Sequence, residues 1–487
     1  VSFDLWPVVA GLAVSLASGA LGSSDAAASP EPRSRHVPDD PLFARQWPLD
    51  NTGQGGGVTD ADVDAPEAWA YTRGSPEVVI AVLDDGVELD HPDLAANVSR
   101  AGRDFTTLPP GTDPSPKTSA DRHGTAVAGV IAARGDNALG VTGICPQCTI
   151  LPIRVHGSSN LGTAAAFRYA VEQGADIITN SWGYTREAPI AAGDAVRDAI
   201  EEAASSGRAG RGTLVVFGMT NASVDNCSGP TLDISSLESV LAVGVSNHND
   251  ELGGSGFGDC MDLVAPSKPR RLTTIGVTTT DRTGLDGHTA DDYHLSFGGT
   301  SAAAPLVAGI AGLLLSLNPE LTRVELERIL EHTADKIDPA AAGYDADGFS
   351  RKAGHGRVNA ARALVPSVKI RIEPAIVAAG EPFSVTVTAS APYGLESVAW
   401  FGIATGITAL DRPHRKPVDG RGFHAATWPG VVIDRPGTVE LGADARDARY
   451  ASAVEGYPHE TSRAGGTATA TITVLAPREP AVSHALR

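Results

Sequence analysis

Residues 77–84 read Glu-Val-Val-Ile-Ala-Val-Leu-Asp. The apolar run is unbroken and too short for a helix of useful length, the pattern of a strand buried on both faces. Moving outward, residues 124–134 carry a helical pattern, 149–155 are strand-like, 163–173 helical, 175–181 strand-like and 193–206 helical. Residues 213–217 and 240–245 add β-rich runs, and apolar side chains recur at helical spacing over 303–317 and 322–332. Strand alternating with helix implies crossover connections, so the expected fold is α/β, a parallel sheet flanked by helices.

The pattern changes after Pro366. Residues 383–389 alternate apolar and polar with period two, as do parts of 438–443 and 467–474, with Gly and Pro between the runs. This predicts an all-β sandwich, immunoglobulin-like by pattern, over 366–476, with a tail at 477–487. The α/β domain is expected over 38–365. Before it, an apolar run at 7–22 followed by small residues fits a signal-peptide core and cleavage region, and 23–37 read as a linker. Asp4 stands where a basic residue is usual. No other stretch reads as a membrane span.

The 487 residues allow a large core plus an accessory module. With 42% hydrophobic residues the chain is globular, and its formal charge of −20 disfavours nucleic acid and anionic membranes as partners. Some of the acidic excess is available to hold cations. The four cysteines, at 145, 148, 227 and 260, allow three pairings. Cys145–Cys148 and Cys227–Cys260 are favoured, and a four-cysteine zinc site is the rival arrangement.

Three segments carry reactive chemistry. Val82-Leu83-Asp84-Asp85-Gly86 ends the buried strand. Arg122-His123-Gly124-Thr125 opens a predicted helix, and Gly298-Gly299-Thr300-Ser301-Ala302-Ala303-Ala304-Pro305 opens another. A hydroxyl nucleophile needs a base, and the base needs a carboxylate to fix its tautomer. Each segment alone reads equally as a turn or a helix cap. Together, in the order Asp, His, Ser, they supply one complete set. Pro305 is expected in the first helical turn, where a missing N–H costs least.

With these motifs the chain resembles the subtilisin family, and within it the kexin/furin-type branch, over roughly 40–364. The resemblance makes Asp84 the orienting carboxylate, His123 the general base and Ser301 the nucleophile, with Asp85 in a non-catalytic position. It places Asn221 as an oxyanion donor. It also assigns Ser181-Trp182-Gly183 as the segment pairing with extended substrate, and Gly218-Met219-Thr220 beside the primary pocket. Thr220 departs from the usual small residues and is expected to narrow that pocket or shift Asn221. Arg186 stands where furin-like enzymes carry an acidic residue, so dibasic specificity is not carried over. Asp136-Asn137-Ala138-Leu139-Gly140-Val141 resembles the family's strong calcium loop. There Asn137, Leu139 and Val141 join Asp40 and Asp93 as ligands. The resemblance thus implies a secreted, monomeric serine endopeptidase acting on proteins or peptides, with structural calcium and no organic cofactor. Only about 15 residues separate the apolar run from Asp40. The expected propeptide therefore lies upstream of the given start, or folding proceeds without one.

Overall fold

The structure, a computed structural model, describes residues 34–183, 193–228, 233–269, 275–402, 414–418, 422–434, 436–447 and 467–475. The signal-like run, Arg186 and the tail at 477–487 lie outside these residues. After a short helix α1 (Ala65–Trp69) the chain enters β1 (Val79–Asp84), β2 (Arg103–Asp104), α2 (His123–Ala132), β3 (Thr149–Arg154), α3 (Asn160–Glu172) and β4 (Ile177–Asn180). Then follow α4 (Asp194–Gly210), β5 (Leu214–Gly218), β6 (Leu241–Ser246) and β7 (Leu263–Pro266). These strands form one parallel sheet in the order β2-β3-β1-β4-β5-β6-β7.

β1 sits inside the sheet and alternates between two cores. Ile80 and Val82 pack with α2 and the later helix α5 (Thr300–Leu317), whereas Ala81 and Leu83 pack with α3 and α4. Successive strand side chains face opposite sides, so a strand covered on both needs apolar residues throughout. That requirement accounts for the unbroken run at 77–84. From β1 the chain steps to β3 on one side and then to β4 on the other. The switch point falls between β1 and β4, and the crevice at their carboxyl ends is where open α/β sheets place ligands.

β8 (Val277–Thr280) and β9 (Tyr293–Phe297) form an antiparallel hairpin that leads into α5. α5 is long and apolar enough to cross a membrane, but it is packed inside the α/β core, which its composition serves equally well. It starts earlier than the spacing predicted, at Thr300, so Pro305 lies in its second turn. The Pro305 position lacks the N–H that would bond the carbonyl of Ser301 four residues back. That carbonyl instead accepts the Ser181 hydroxyl at 3.0 Å. α6 (Arg323–Thr333) begins with a capping box between Thr322 and Glu325, and the short helices α7 (Pro339–Ala342) and α8 (Ala360–Ala363) complete this part.

The remaining strands are β10 (Ser367–Glu373), β11 (Ile376–Ala378), β12 (Pro382–Ser390), β13 (Leu395–Gly402), β14 (His414–Pro417), β15 (Phe423–Val432), β16 (Gly437–Asp447) and β17 (Thr467–Leu475). They form sheets β10-β12-β15 and β11-β17-β16-β13-β14 around one apolar core. This region touches the α/β part through Gly422 N–H to Glu325 Oε1 at 3.0 Å, Asn318 Nδ2 to the Pro392 carbonyl at 2.8 Å, and Phe423 against His332.

The four cysteines are bonded as Cys145–Cys148 and Cys227–Cys260. Short strands such as β2, β7 and β8 were not apparent from the sequence, because two to four residues hold too little periodicity.

Candidate active site

Asp84 is the last residue of β1 and is buried. Its carboxylate meets His123 Nδ1 at 2.9 and 3.0 Å from its two oxygens. His123 is the first residue of α2, and Asp85 holds it there. Asp85 Oδ2 accepts the His123 backbone N–H at 2.9 Å, and its Oδ1 accepts that of Gly124 at 2.7 Å. One carboxylate thereby caps two orphan donors of the helix that carries the imidazole. Gly124 permits the close approach, since a Cβ there would lie 2.4 Å from the Gly86 carbonyl oxygen.

These carboxylates shape the charge of the site. Burial opposes charge on His123, but the Asp84 carboxylate, its hydrogen bond and Asp85 outweigh it, so the imidazole pKa is raised. Burial, then the neighbouring Asp84, push Asp85 up to about 6.

Ser301 is the second residue of α5, at the positive end of the helix. Its Oγ donates to the Ser181 carbonyl at 3.4 Å and is not hydrogen-bonded to His123. Hydrogen bonds at such sites are commonly long before substrate arrives. Phe297, four residues before Ser301, sets its ring edge-on to His123 with centroids 5.4 Å apart. The imidazole is thereby seated beside the segment that delivers the hydroxyl. Ser181 and Trp182 follow β4, beside β1, and Trp182 Nε1 bonds the Leu83 carbonyl at 2.7 Å. Gly183 is exposed.

Asn221 follows β5, and its Oδ1 accepts the Thr300 backbone N–H at 2.9 Å. With the oxygen so engaged, the amide N–H₂ is left as the free donor end. Gly299 makes room for this arrangement: its φ is +72°, and a Cβ there would lie 2.5 Å from Asn221 Oδ1. Gly218 packs against Thr300, and the Met219 side chain is buried in a small core with Met261, leaving its carbonyl to accept the Thr300 hydroxyl at 2.6 Å. Thr220 turns its hydroxyl to Asn226 Oδ1 at 3.0 Å and the Ala222 carbonyl at 3.2 Å. The bond that holds Asn221 is intact beside it.

Asp233 was not singled out from the sequence. It accepts from Asn226 Nδ2 at 3.2 Å, and both its oxygens lie 3.7 Å from where a Cβ on Gly183 would sit. Burial raises its pKa. Fifty residues separate it from Gly183, so no local motif signals the contact.

The 136–141 loop gathers oxygen donors. Asp136, Ala138 and Gly140 have positive φ, alternating with ordinary backbone, which curls the loop tightly. Asp93 is wholly buried, accepting the Val141 N–H at 2.9 Å and Asn137 Nδ2 at 2.7 Å. Asp40 Oδ2 accepts the Asp136 N–H at 2.9 Å, while its buried Oδ1 has no partner. Burial is the main reason that Asp40 rises to about 6. A buried carboxylate oxygen lacking a partner, with the carboxylates of Asp39 and Asp136 within 4.8 Å, fits a hard cation such as calcium.

Residues 75–356 match the subtilase family. The chain belongs to that family. This subtilase is 34% identical over 360 residues to the calcium-dependent protease of Trichormus variabilis, spanning 68% of the chain and 52% of that protein. It is 32% identical over 329 residues to the thermophilic serine proteinase of a Bacillus species, spanning 66% of the chain and 71% of that protein. With human proprotein convertase subtilisin/kexin type 4 it shares 29% identity over 334 residues, 66% of the chain and 42% of that protein. The subtilase thus spans about half the length of several curated relatives it matches. Among solved structures, the serine protease of Aeromonas sobria superposes with a TM-score of 0.59 at 20% identity, over 95% of this chain and 97% of that one, which is a likeness of fold. A protease of Pseudoalteromonas arctica superposes with a TM-score of 0.53 at 26% identity, over 67% of this chain and 98% of that one.

Proposed function

We propose that the chain is a secreted serine endopeptidase that cleaves protein or peptide substrates through an acyl-enzyme, with Asp84, His123 and Ser301 as its triad. The observation that carries this reading is the imidazole of His123, fixed through Nδ1 by Asp84 and seated beside the segment bearing Ser301. Ser301 Oγ attacks the scissile carbonyl as His123 Nε2 takes its proton. The resulting oxyanion receives the Asn221 amide and the Ser301 backbone N–H. His123 then returns the proton to the leaving amine, the C–N bond breaks, and water repeats the sequence on the acyl ester. Ser181-Trp182-Gly183 align the substrate backbone, next to Gly218 and Thr220. Asp40, Asp93, Asn137 and the carbonyls of Leu139 and Val141 are the calcium ligands of this reading, and calcium there would neutralise the buried carboxylates and stiffen the loop.

The peptidase domain is taken as 38–365 and the accessory domain as 366–476. An immunoglobulin-like assignment for the latter is supported by its strand order. β10-β12-β15 form one sheet, β17-β16-β13-β14 follow an antiparallel order in the other, and β11 lies parallel to β17. Trp400, on the third full-length strand β13, is buried between the sheets. Both disulfides fit an oxidising compartment. The experiment is hydrolysis of unfolded casein by purified wild-type and Ser301→Ala proteins. Turnover is expected to fall by about 10⁶ in the variant, and turnover equal to wild type would refute the assignment.

A further inference from the structure

We propose that Asp281, His288 and His294 bind a divalent metal of the zinc class, at a site separate from the calcium loop, clamping the hairpin that leads to Ser301. Candidate ligand atoms of the three residues lie within 4.8 Å of one another. Asp281 directly follows β8, His288 lies in the connecting loop, and His294 is in β9. The two imidazoles stack with centroids 4.4 Å apart and planes 13° from parallel.

The carboxylate is already oriented. Asp281 is wholly buried, its Oδ1 accepting the backbone N–H groups of Arg282 and His288 at 2.9 Å each, and its Oδ2 that of Thr289 at 2.9 Å. Backbone donors of this kind fix a ligating carboxylate from behind. Gly287 leaves the loop room to close over it, because a Cβ there would lie 2.9 Å from Asp281 Oδ2. His288 Nδ1 meets Asp281 Oδ1 at 3.1 Å. His294 Nδ1 is buried and has no partner, an orphan nitrogen beside a carboxylate and a second imidazole.

A dication between these groups replaces the proton shared by His288 and Asp281 and gives His294 Nδ1 a partner. Ligands on one tetrahedral zinc are about 3.4 Å apart, so the ion draws the three residues together by about 1 Å and turns the stacked rings out of parallel until both in-plane lone pairs meet it, with water in the fourth position. Lys268 and Arg122 place two positive charges near His294. Binding therefore needs the directed bonds of imidazole nitrogen, which favours zinc, cobalt or nickel over calcium. His294 packs edge-on to Phe297, which packs on His123, so the clamp lies one ring away from the candidate base.

The test is zinc titration calorimetry on tag-free, calcium-loaded Ser301→Ala protein at about pH 7.5, where proteolysis cannot confuse the reading. Parent protein is expected to bind zinc, and both His294→Ala and His288→Ala to weaken that binding by about 10–100-fold. Cobalt should give the visible absorption of a four-coordinate site in the parent alone. Variants that keep the calcium-dependent melting transition are folded. Should His294→Ala lose it, His288→Ala decides, because that ring is partly exposed in the loop. Zinc binding unchanged in a folded variant, or no uptake by the parent at about 100 μM zinc, overturns the proposal.

Discussion

Asn221 is oriented from behind. Because its Oδ1 accepts the Thr300 N–H, the orientation of the amide donors is fixed, as the proposed oxyanion role requires. Asn221→Ala should lower kcat by about 10²–10³ and leave KM nearly unchanged, as measured on a peptide substrate. Asp85 acts one step further away, through the helix it caps. Its pKa is raised to about 6, above the unfolded value, so the folded protein binds the extra proton as pH falls through that range. The charged form therefore costs stability above about 6, and that cost is relieved below it. The same negative charge helps to raise His123. Asp85→Asn should move the acidic limb of the kcat/KM profile to lower pH, because the imidazolium loses one stabilising neighbour. A limb at unchanged or higher pH would contradict this coupling. Asp84, His123 and Ser301 were candidates in the sequence because their three segments together, in that order, supply one carboxylate, one base and one hydroxyl. The sequence did not reveal Asp85 as the cap, Asp233 beside Gly183 or the freed Ser301 carbonyl, since those depend on distant segments meeting.

Elements show the same division. The helical and strand patterns placed α2, α3, β1 and α6 to within a few residues, because each keeps one period over a full face. α5 began earlier than predicted because Thr300 and its glycine neighbours carry no apolar signal, and its N-terminal turn is fixed by Asn221 rather than by local propensity. The 136–141 segment was a candidate calcium loop by motif alone, whereas the unpartnered Asp40 oxygen that argues for a cation appears only in three dimensions. A chelator should lower the melting temperature of the Ser301→Ala protein. Calcium at about 100 times its dissociation constant contributes about 2.7 kcal/mol. Asp93→Ala should abolish most of the calcium response in a melting experiment, and an undiminished response would place the ion elsewhere.

At the scale of the whole molecule, the candidate site is made by topology. Asp84, His123, Asn221 and Ser301 lie far apart in sequence, and they converge because the sheet reverses its strand order between β1 and β4. A parallel sheet was predictable from strand–helix alternation, but strand order was not, since local patterning does not encode which neighbours pair. Reactivity at Ser301 should therefore exist only in the folded chain. The most direct measurement is labelling with a fluorophosphonate, followed by peptide mass spectrometry. The expected result is one adduct, on Ser301, in native protein, absent from urea-unfolded protein and from Ser301→Ala. No adduct on the native protein, or an adduct that persists in Ser301→Ala, would contradict the assignment of an activated serine.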